Sequence, residues 1–449
     1  MSELLGADAA RRIVEPALEA AGGADAEVVL LNDWGGLTRF ADSSIHQSTA
    51  REERALRIRV VQEGRAGVAT TNDLSPTGVA GAARDAVEMA EVAAPDPYFP
   101  GLAPAAEVPL VDRFDPSTAA VGPSDRADAV TALVAACEAG YHAAGAYETG
   151  ALELVVANTK GQFAHAARSK ASISTVISGG DGGAGFAERT AGSAGALDAG
   201  EIGARAFRKA RDSQAPRDLE PGDYEVVLEA PAVATLLAFL SYLGLGGRAI
   251  AEDRSCFSGR EGERVLDPSI SIWDDALSPD TLGFPFDFEG TPKQRVDLVA
   301  DGVFLGGVHD RRSARQAGAD TTGHALPPPN PEGPLPLNLF MATGDASVAD
   351  MIRATPRGLL VSRFHYSNVV HPKDAVITGM TRDGTWLIED GEIAHPVKNL
   401  RFTDSILRAL GEVAMVGSEA ELASEFFFEA SYVPALRLPS LRFTGRSDH

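Results

Sequence analysis

Within the nine residues Arg363-Phe-His365-Tyr366-Ser-Asn368-Val-Val-His371 the chain gathers a guanidinium, two imidazoles, a phenol and a carboxamide. An imidazole titrates near neutrality and can take up a proton, and Arg363 or Asn368 can donate hydrogen bonds to a developing oxyanion. The two histidines lie six apart, which in an extended strand separates them by about 20 Å. That is too far to share one metal ion. Two readings remain: a solvated loop whose side chains satisfy its own backbone, and a loop that contacts substrate. His324 stands alone in Thr322-Gly-His-Ala325, with a structural hydrogen bond as its expected role, and opens a stretch to Pro336 containing six prolines. A loop of that length and composition suits the wall of a binding channel. The candidate substrate-binding residues are therefore Arg363, His365, Tyr366, Asn368 and His324.

Other groups carry weaker signals. Gly180-Asp-Gly182-Gly-Ala-Gly185 fits a dinucleotide fingerprint by letter, but no helix pattern follows to hold a pyrophosphate. Cys256 has Arg254 nearby and no neighbouring histidine, so it is not expected to be a nucleophile. The acids Asp274-Asp275 and Asp287-x-Glu289 are expected to be solvated, as most such pairs are in an acidic chain.

The elements that must position these groups fall into two halves. In the first, helical spacing over 7–21 precedes strand patterns at 27–31, 37–47, 55–61 and 66–70. Ser75-Pro76 starts a helix that Pro95-Asp-Pro97 ends; Ser124 starts another, and Asp198 with Glu201 caps a third. Strands at 152–158 and 163–177 complete an α+β unit with a largely antiparallel sheet. Polar residues and prolines at 212–222 mark the boundary between an N-terminal domain, 1–218, and a β-rich C-terminal domain, 219–449. In the second half Asp301-Gly302, Asp383-Gly384 and Asp390-Gly391 read as hairpin reversals.

Composition narrows the classes. Forty Lys plus Arg against 63 Asp plus Glu give a net charge of −23, which disfavours nucleic acid and anionic membrane surfaces as partners. Two cysteines exclude a disulfide framework and a four-thiolate metal site within one chain. Ala230–Gly247 is uncharged, but its proline, glycines and hydroxyls suit a buried helix better than a membrane span. The opening Met1-Ser-Glu-Leu-Leu has no basic-then-apolar leader pattern, and the expected location is the cytoplasm.

Several fragments, in order, resemble the TldD/TldE (PmbA) metallopeptidase family. They are Thr71-Asn-Asp-Leu-Ser-Pro76, Phe257-Ser-Gly259, Phe288-Glu-Gly-Thr-Pro292, Ser313-Ala-Arg315, Thr322-Gly-His-Ala325, Ile377-Thr-Gly379 and Leu387-Ile-Glu-Asp-Gly-Glu-Ile393. The resemblance runs from about residue 25 to the end. It implies an N-terminal α+β domain, a β-rich C-terminal domain, and two sibling chains that pair as a heterodimeric peptidase. In that family the TldD member holds zinc through a helical His-Glu-x-x-x-His and a late cysteine, the carboxylate acting on metal-bound water. At the corresponding positions this chain has Ala238, Phe239 and Leu243, and no cysteine follows Cys256.

The departure implies a TldE-like chain: an accessory subunit with no cofactor of its own, zinc residing in a TldD-like sibling, and a peptide or peptide-like substrate. Two alternatives stay open. One is a self-sufficient amide hydrolase acting on a biosynthetic intermediate, with His365 as base. The other is a non-catalytic scaffold that binds peptides at strand edges.

Overall fold

The computed structural model describes residues 3–424 and 430–446. Six strands form the first sheet: β1 (Asp25–Ala41), β2 (Ser44–Gln62), β3 (Arg65–Thr71), β4 (Tyr141–Asn158), β5 (Phe163–Gly179) and β6 (Ala184–Ala191). Their order is β3-β2-β1-β4-β5-β6, and every pairing is antiparallel. Five helices precede or join them: α1 (Ala7–Ala20), α2 (Pro76–Val92), α3 (Pro116–Ala119), α4 (Pro123–Val134) and α5 (Ala199–Asp212). Two of the three caps act where sequence places them; α4 starts instead at Pro123, with Gly122 N donating to Asp125 Oδ2 at 2.8 Å, because proline fixes the first helical position one residue before Ser124. Ser75 Oγ accepts from Gly78 N at 3.1 Å, and Asp198 Oδ1 accepts from Glu201 N at 2.9 Å. Strand alternation gives β1, β4 and β5 one apolar face, which these helices cover.

The second sheet has eleven strands: β7 (Gly222–Leu228), β8 (Ile272–Asp274), β9 (Val296–Ala300), β10 (Val303–Phe304), β11 (Leu339–Met341), β12 (Arg357–His371), β13 (Val376–Glu389), β14 (Glu392–Pro396), β15 (Leu400–Ser405), β16 (Met415–Ala423) and β17 (Ser431–Arg446). β7 pairs in parallel with β12 and antiparallel with β17, so β7, β12, β13, β15 and β17 close into a ring. Closure removes free edges. Helix α6 (Ala230–Leu240) packs against β12 and β17, and all its residues except Pro231 are buried. A helix apolar on every side belongs in a core. Among the described residues no helix is long and apolar enough to cross a membrane. The architecture is α+β, as the sequence predicts.

Several expectations fail. The strand read over 37–47 is two strands, reversing at Asp42 and Ser43, whose φ values are 48° and 57°. Neither residue is glycine, which hides the turn. Asp383-Gly384 does not reverse the chain: β13 runs straight through, and the positive φ values of 54° and 132° are absorbed within the strand opposite an irregularity in β12. The Arg363–His371 segment is strand rather than loop, with register shifts where β-bulges interrupt it. β6, β15, β16 and β17 are not anticipated; for β6 the Asp181-Gly182 turn that folds β5 back is masked by its likeness to a nucleotide fingerprint.

Candidate functional site

β12, β6 and one face of α6 line a cleft of about 710 Å³. Phe186 and Glu188 come from β6, Pro231, Thr235 and Phe239 from α6, and residues 363–368 from β12. The sequence-predicted residues Arg363, His365, Tyr366 and Asn368 thus share one wall. A bulge between His365 and Asn368 leaves Tyr366 at φ 51° and 76% exposed. Left-handed backbone is costly for a tyrosine, and such strain is tolerated where the surroundings over-determine it.

Arg363 and the Asn368 carbonyl oxygen in this wall are already engaged. Arg363 donates through Nε to Asp383 Oδ2 at 2.8 Å and pairs a second time with the same oxygen. Its guanidinium lies 4.1 Å over the Phe186 ring. Burial lowers the His365 imidazole below its usual value, and the charges of Arg363 and Arg382 add to that. Its ring meets Tyr366 edge-on at 4.7 Å. Asn368 Oδ1 accepts from Val369 N at 2.8 Å.

The floor is hydrocarbon. Ala238, Phe239 and Leu243 are buried, at 0%, 4% and 6% exposure. Phe239 lines the cleft. Beyond Leu240 the helix widens into a π turn over Ser241–Leu245. Five residues span about 140° beyond a full α-turn, and i→i+5 bonding draws such positions toward one face. The side chains at 238, 239 and 243, however, hold no nitrogen, oxygen or sulfur. These residues do not fit a zinc ion. Among the described residues no group of three or more His, Cys, Asp or Glu is arranged to hold a metal.

His324 lies elsewhere, on a separate cavity of about 220 Å³. Its side chain is fully buried, and Nε2 lies 2.9 Å from Asp274 Oδ1. Burial pushes the imidazole down, and Lys293 adds to this. Burial opposes ionisation of Asp274, yet the imidazole, the Lys293 ammonium and the Asn338 N–H at 2.7 Å outweigh it and hold the carboxyl at about 2.

Around it runs a charged knot that joins the two sheets. Arg59 Nη2 of β2 sits 3.0 Å from Glu27 Oε1 of β1 and 3.1 Å from Glu289 Oε1. Asp287 accepts backbone N–H groups from Glu289, Thr291 and Ala325, each at 2.9 Å. Burial raises Glu27 to about 8, with Arg59 opposing; burial and the Glu289 charge raise Asp287 to about 7. The expectation of solvated acids is therefore wrong for Asp274, Asp287 and Glu289, which are buried at 0%, 2% and 7% exposure. For Glu289 the partner is a cation of the first sheet, from 230 residues away; Asp274 and Asp287 are held by His324, Lys293 and backbone N–H groups of the second half.

The remaining candidates are inert. Burial pushes the Cys256 thiol up to about 12. The glycine-rich segment 180–185 turns from β5 into strand β6, not into a helix. Sequence reasoning missed Phe186, Thr235 and Phe239 as cleft residues because they carry only ordinary core signals.

The chain was compared with known proteins. Residues 221–445 match the family model described as the PmbA/TldA metallopeptidase C-terminal domain, and residues 26–90 match PmbA/TldA metallopeptidase domain 1. Metalloprotease PmbA of Escherichia coli O157:H7 is 25% identical over 96% of this chain and 97% of its own length. A metalloprotease TldD homolog of Haemophilus influenzae is 29% identical over 50% of this chain, but the match spans only 48% of that protein. The crystal structure of TldE from Thermococcus kodakarensis superposes with a TM-score of 0.87 at 19% identity, over 96% of this chain and 100% of that one. With one family model spanning half the sequence and a full-length relative beside it, this chain belongs to the TldD/TldE (PmbA) metallopeptidase family.

Proposed function

We propose that this chain is the metal-free, TldE-like subunit of a heterodimeric zinc metallopeptidase that cleaves peptides or peptide-like amide bonds. One observation carries the reading. At the helix where the family resemblance puts zinc ligands, Ala238, Phe239 and Leu243 present buried hydrocarbon. The zinc and the activated water belong to a TldD-like sibling. This chain contributes interface and a wall of the substrate channel, for which the 363–368 face of the cleft is the candidate.

The amide-hydrolase alternative is disfavoured by the same cleft. Arg363, its strongest oxyanion donor, is committed to Asp383. Reconstitution tests the proposal. This chain alone should hydrolyse no peptide; mixed with a sibling bearing His-Glu-x-x-x-His it should form a stable complex that does. Turnover by the isolated chain, or no association with any sibling, overturns it.

A further inference from the structure

Lys293 lies on the cavity of about 220 Å³ that also holds His324, and it is 8% exposed. Among the described residues no hydrogen bond or ion pair reaches its ammonium; Asp274 and Asp287 act on it through their charges alone, against the burial that lowers it. Both acids spend their oxygens elsewhere. Asp274 Oδ1 faces His324 Nε2 at 2.9 Å, and Oδ2 accepts from Asn338 N at 2.7 Å. Asp287 is taken up by three backbone N–H groups. A buried ammonium without an acceptor is costly, and so calls for one. Asn338 lines the same cavity at 7% exposure. Its Oδ1 accepts from Thr281 Oγ1 at 3.1 Å, while Nδ2 has no acceptor among the described residues. Two buried donors therefore line one void.

The other walls are hydrocarbon. Leu154 comes from β4 of the first sheet, and Phe286, Leu335 and Leu337 come from loops of the second half. Arg168 also lines the cavity, but its guanidinium lies 4.8 Å over the Phe284 ring and donates to the Leu282 carbonyl, so it is committed. The volume equals about seven waters at ~30 Å³ each, room for a short acyl chain or one aromatic ring. A neutral apolar guest would leave both donors bare, and a phosphate dianion would meet the charge of Asp274 at close range. One negative charge on a short hydrocarbon answers every wall. We infer that this cavity binds a small apolar monocarboxylate, its oxygens taken by Lys293 Nζ and Asn338 Nδ2 and its hydrocarbon by the leucine and phenylalanine walls. An ammonium–carboxylate hydrogen bond is among the stronger kinds, and more so away from water.

The inference does not depend on the proposed metal-free role, and its test reads binding rather than turnover. Titration calorimetry of the full chain with hexanoate should give one site per chain with a Kd below about 1 mM. Hexan-1-ol has the same chain without the charge and should bind at least about 10-fold more weakly. Lys293→Met keeps the length of the side chain and removes the ammonium. It should weaken hexanoate at least about 10-fold and leave hexanol unchanged. Leu335→Trp fills the void with Lys293 in place and should abolish binding of both. Melting temperature checks that each variant is folded; should Lys293→Met fail to fold, Leu335→Trp and the hexanol comparison carry the test. No hexanoate binding at 10-fold above that Kd means that water alone solvates the ammonium, and overturns the inference. Equal affinity for hexanol and hexanoate overturns it too, as does hexanoate binding that survives Lys293→Met or Leu335→Trp.

Discussion

Two buried regions of this molecule have exchanged the roles their chemistry suggests. The cleft beneath Arg363–Asn368 has a floor of Phe239 and neighbouring hydrocarbon, at the place where relatives of the TldD type are expected to hold a metal. The knot of Glu27, Arg59, Asp287, Glu289, Lys293, His324 and Asp274 holds the most strongly shifted carboxylates among the described residues, yet each acid has a partner: Glu27 and Glu289 share Arg59, Asp274 holds His324, and Asp287 accepts backbone N–H groups. Perturbed titration often marks a catalytic centre. Here it marks a seam. The lesson is that shifted groups count as functional only where a cleft reaches them with a free polar atom.

Arg59→Met should have the largest effect, because it strands Glu27 and Glu289 in a buried seam without their cation. A loss of about 3–5 kcal/mol is expected in urea unfolding. A near-neutral result would mean that the seam does not hold the sheets together. Phe239→Ala should cost about 3 kcal/mol by emptying the cleft floor. Zinc content, measured on the same protein, should stay unchanged.

A pH series sharpens the contrast. Glu27 and Asp287 are raised to about 8 and about 7, so the folded state holds their protons more tightly than the unfolded state does. Their stabilisation is full below the ordinary carboxylate range and is lost as pH rises toward 8. Glu27→Gln cannot ionise and should flatten that decline by about 1–2 kcal/mol, read from melting temperature between pH 5 and 8. An unchanged slope would reassign the effect. His365→Ala should be the mildest: stability shifts within about 0.5 kcal/mol, and the reconstituted complex changes in KM with kcat kept. Abolished turnover would make His365 a catalytic residue.

Much of the fold was legible. Ser75-Pro76 and Asp198 mark helix starts by capping chemistry that depends on three or four neighbouring residues. The same locality explains Asp301-Gly302 and Asp390-Gly391, which do reverse the chain with positive φ. Asp383-Gly384 shows the limit, since the pairing of β13 with β12 on both sides of it decides that the strand continues. The ring closure through β7 and β17 depends on residues more than 200 apart and leaves no local trace. In the site, Arg363, His365, Tyr366 and Asn368 stood out by polarity. The aromatic floor opposite them looks like any core, and Glu289 finds its cation, Arg59, in the other sheet.

The central claim is that the hydrocarbon floor leaves this chain without a metal of its own. Metal analysis tests it most directly: copurify the chain with a sibling bearing His-Glu-x-x-x-His, separate the two subunits under native conditions, and assay each for zinc. The account predicts zinc with the sibling and none above background here. Stoichiometric zinc retained by this chain, purified by itself, would contradict it.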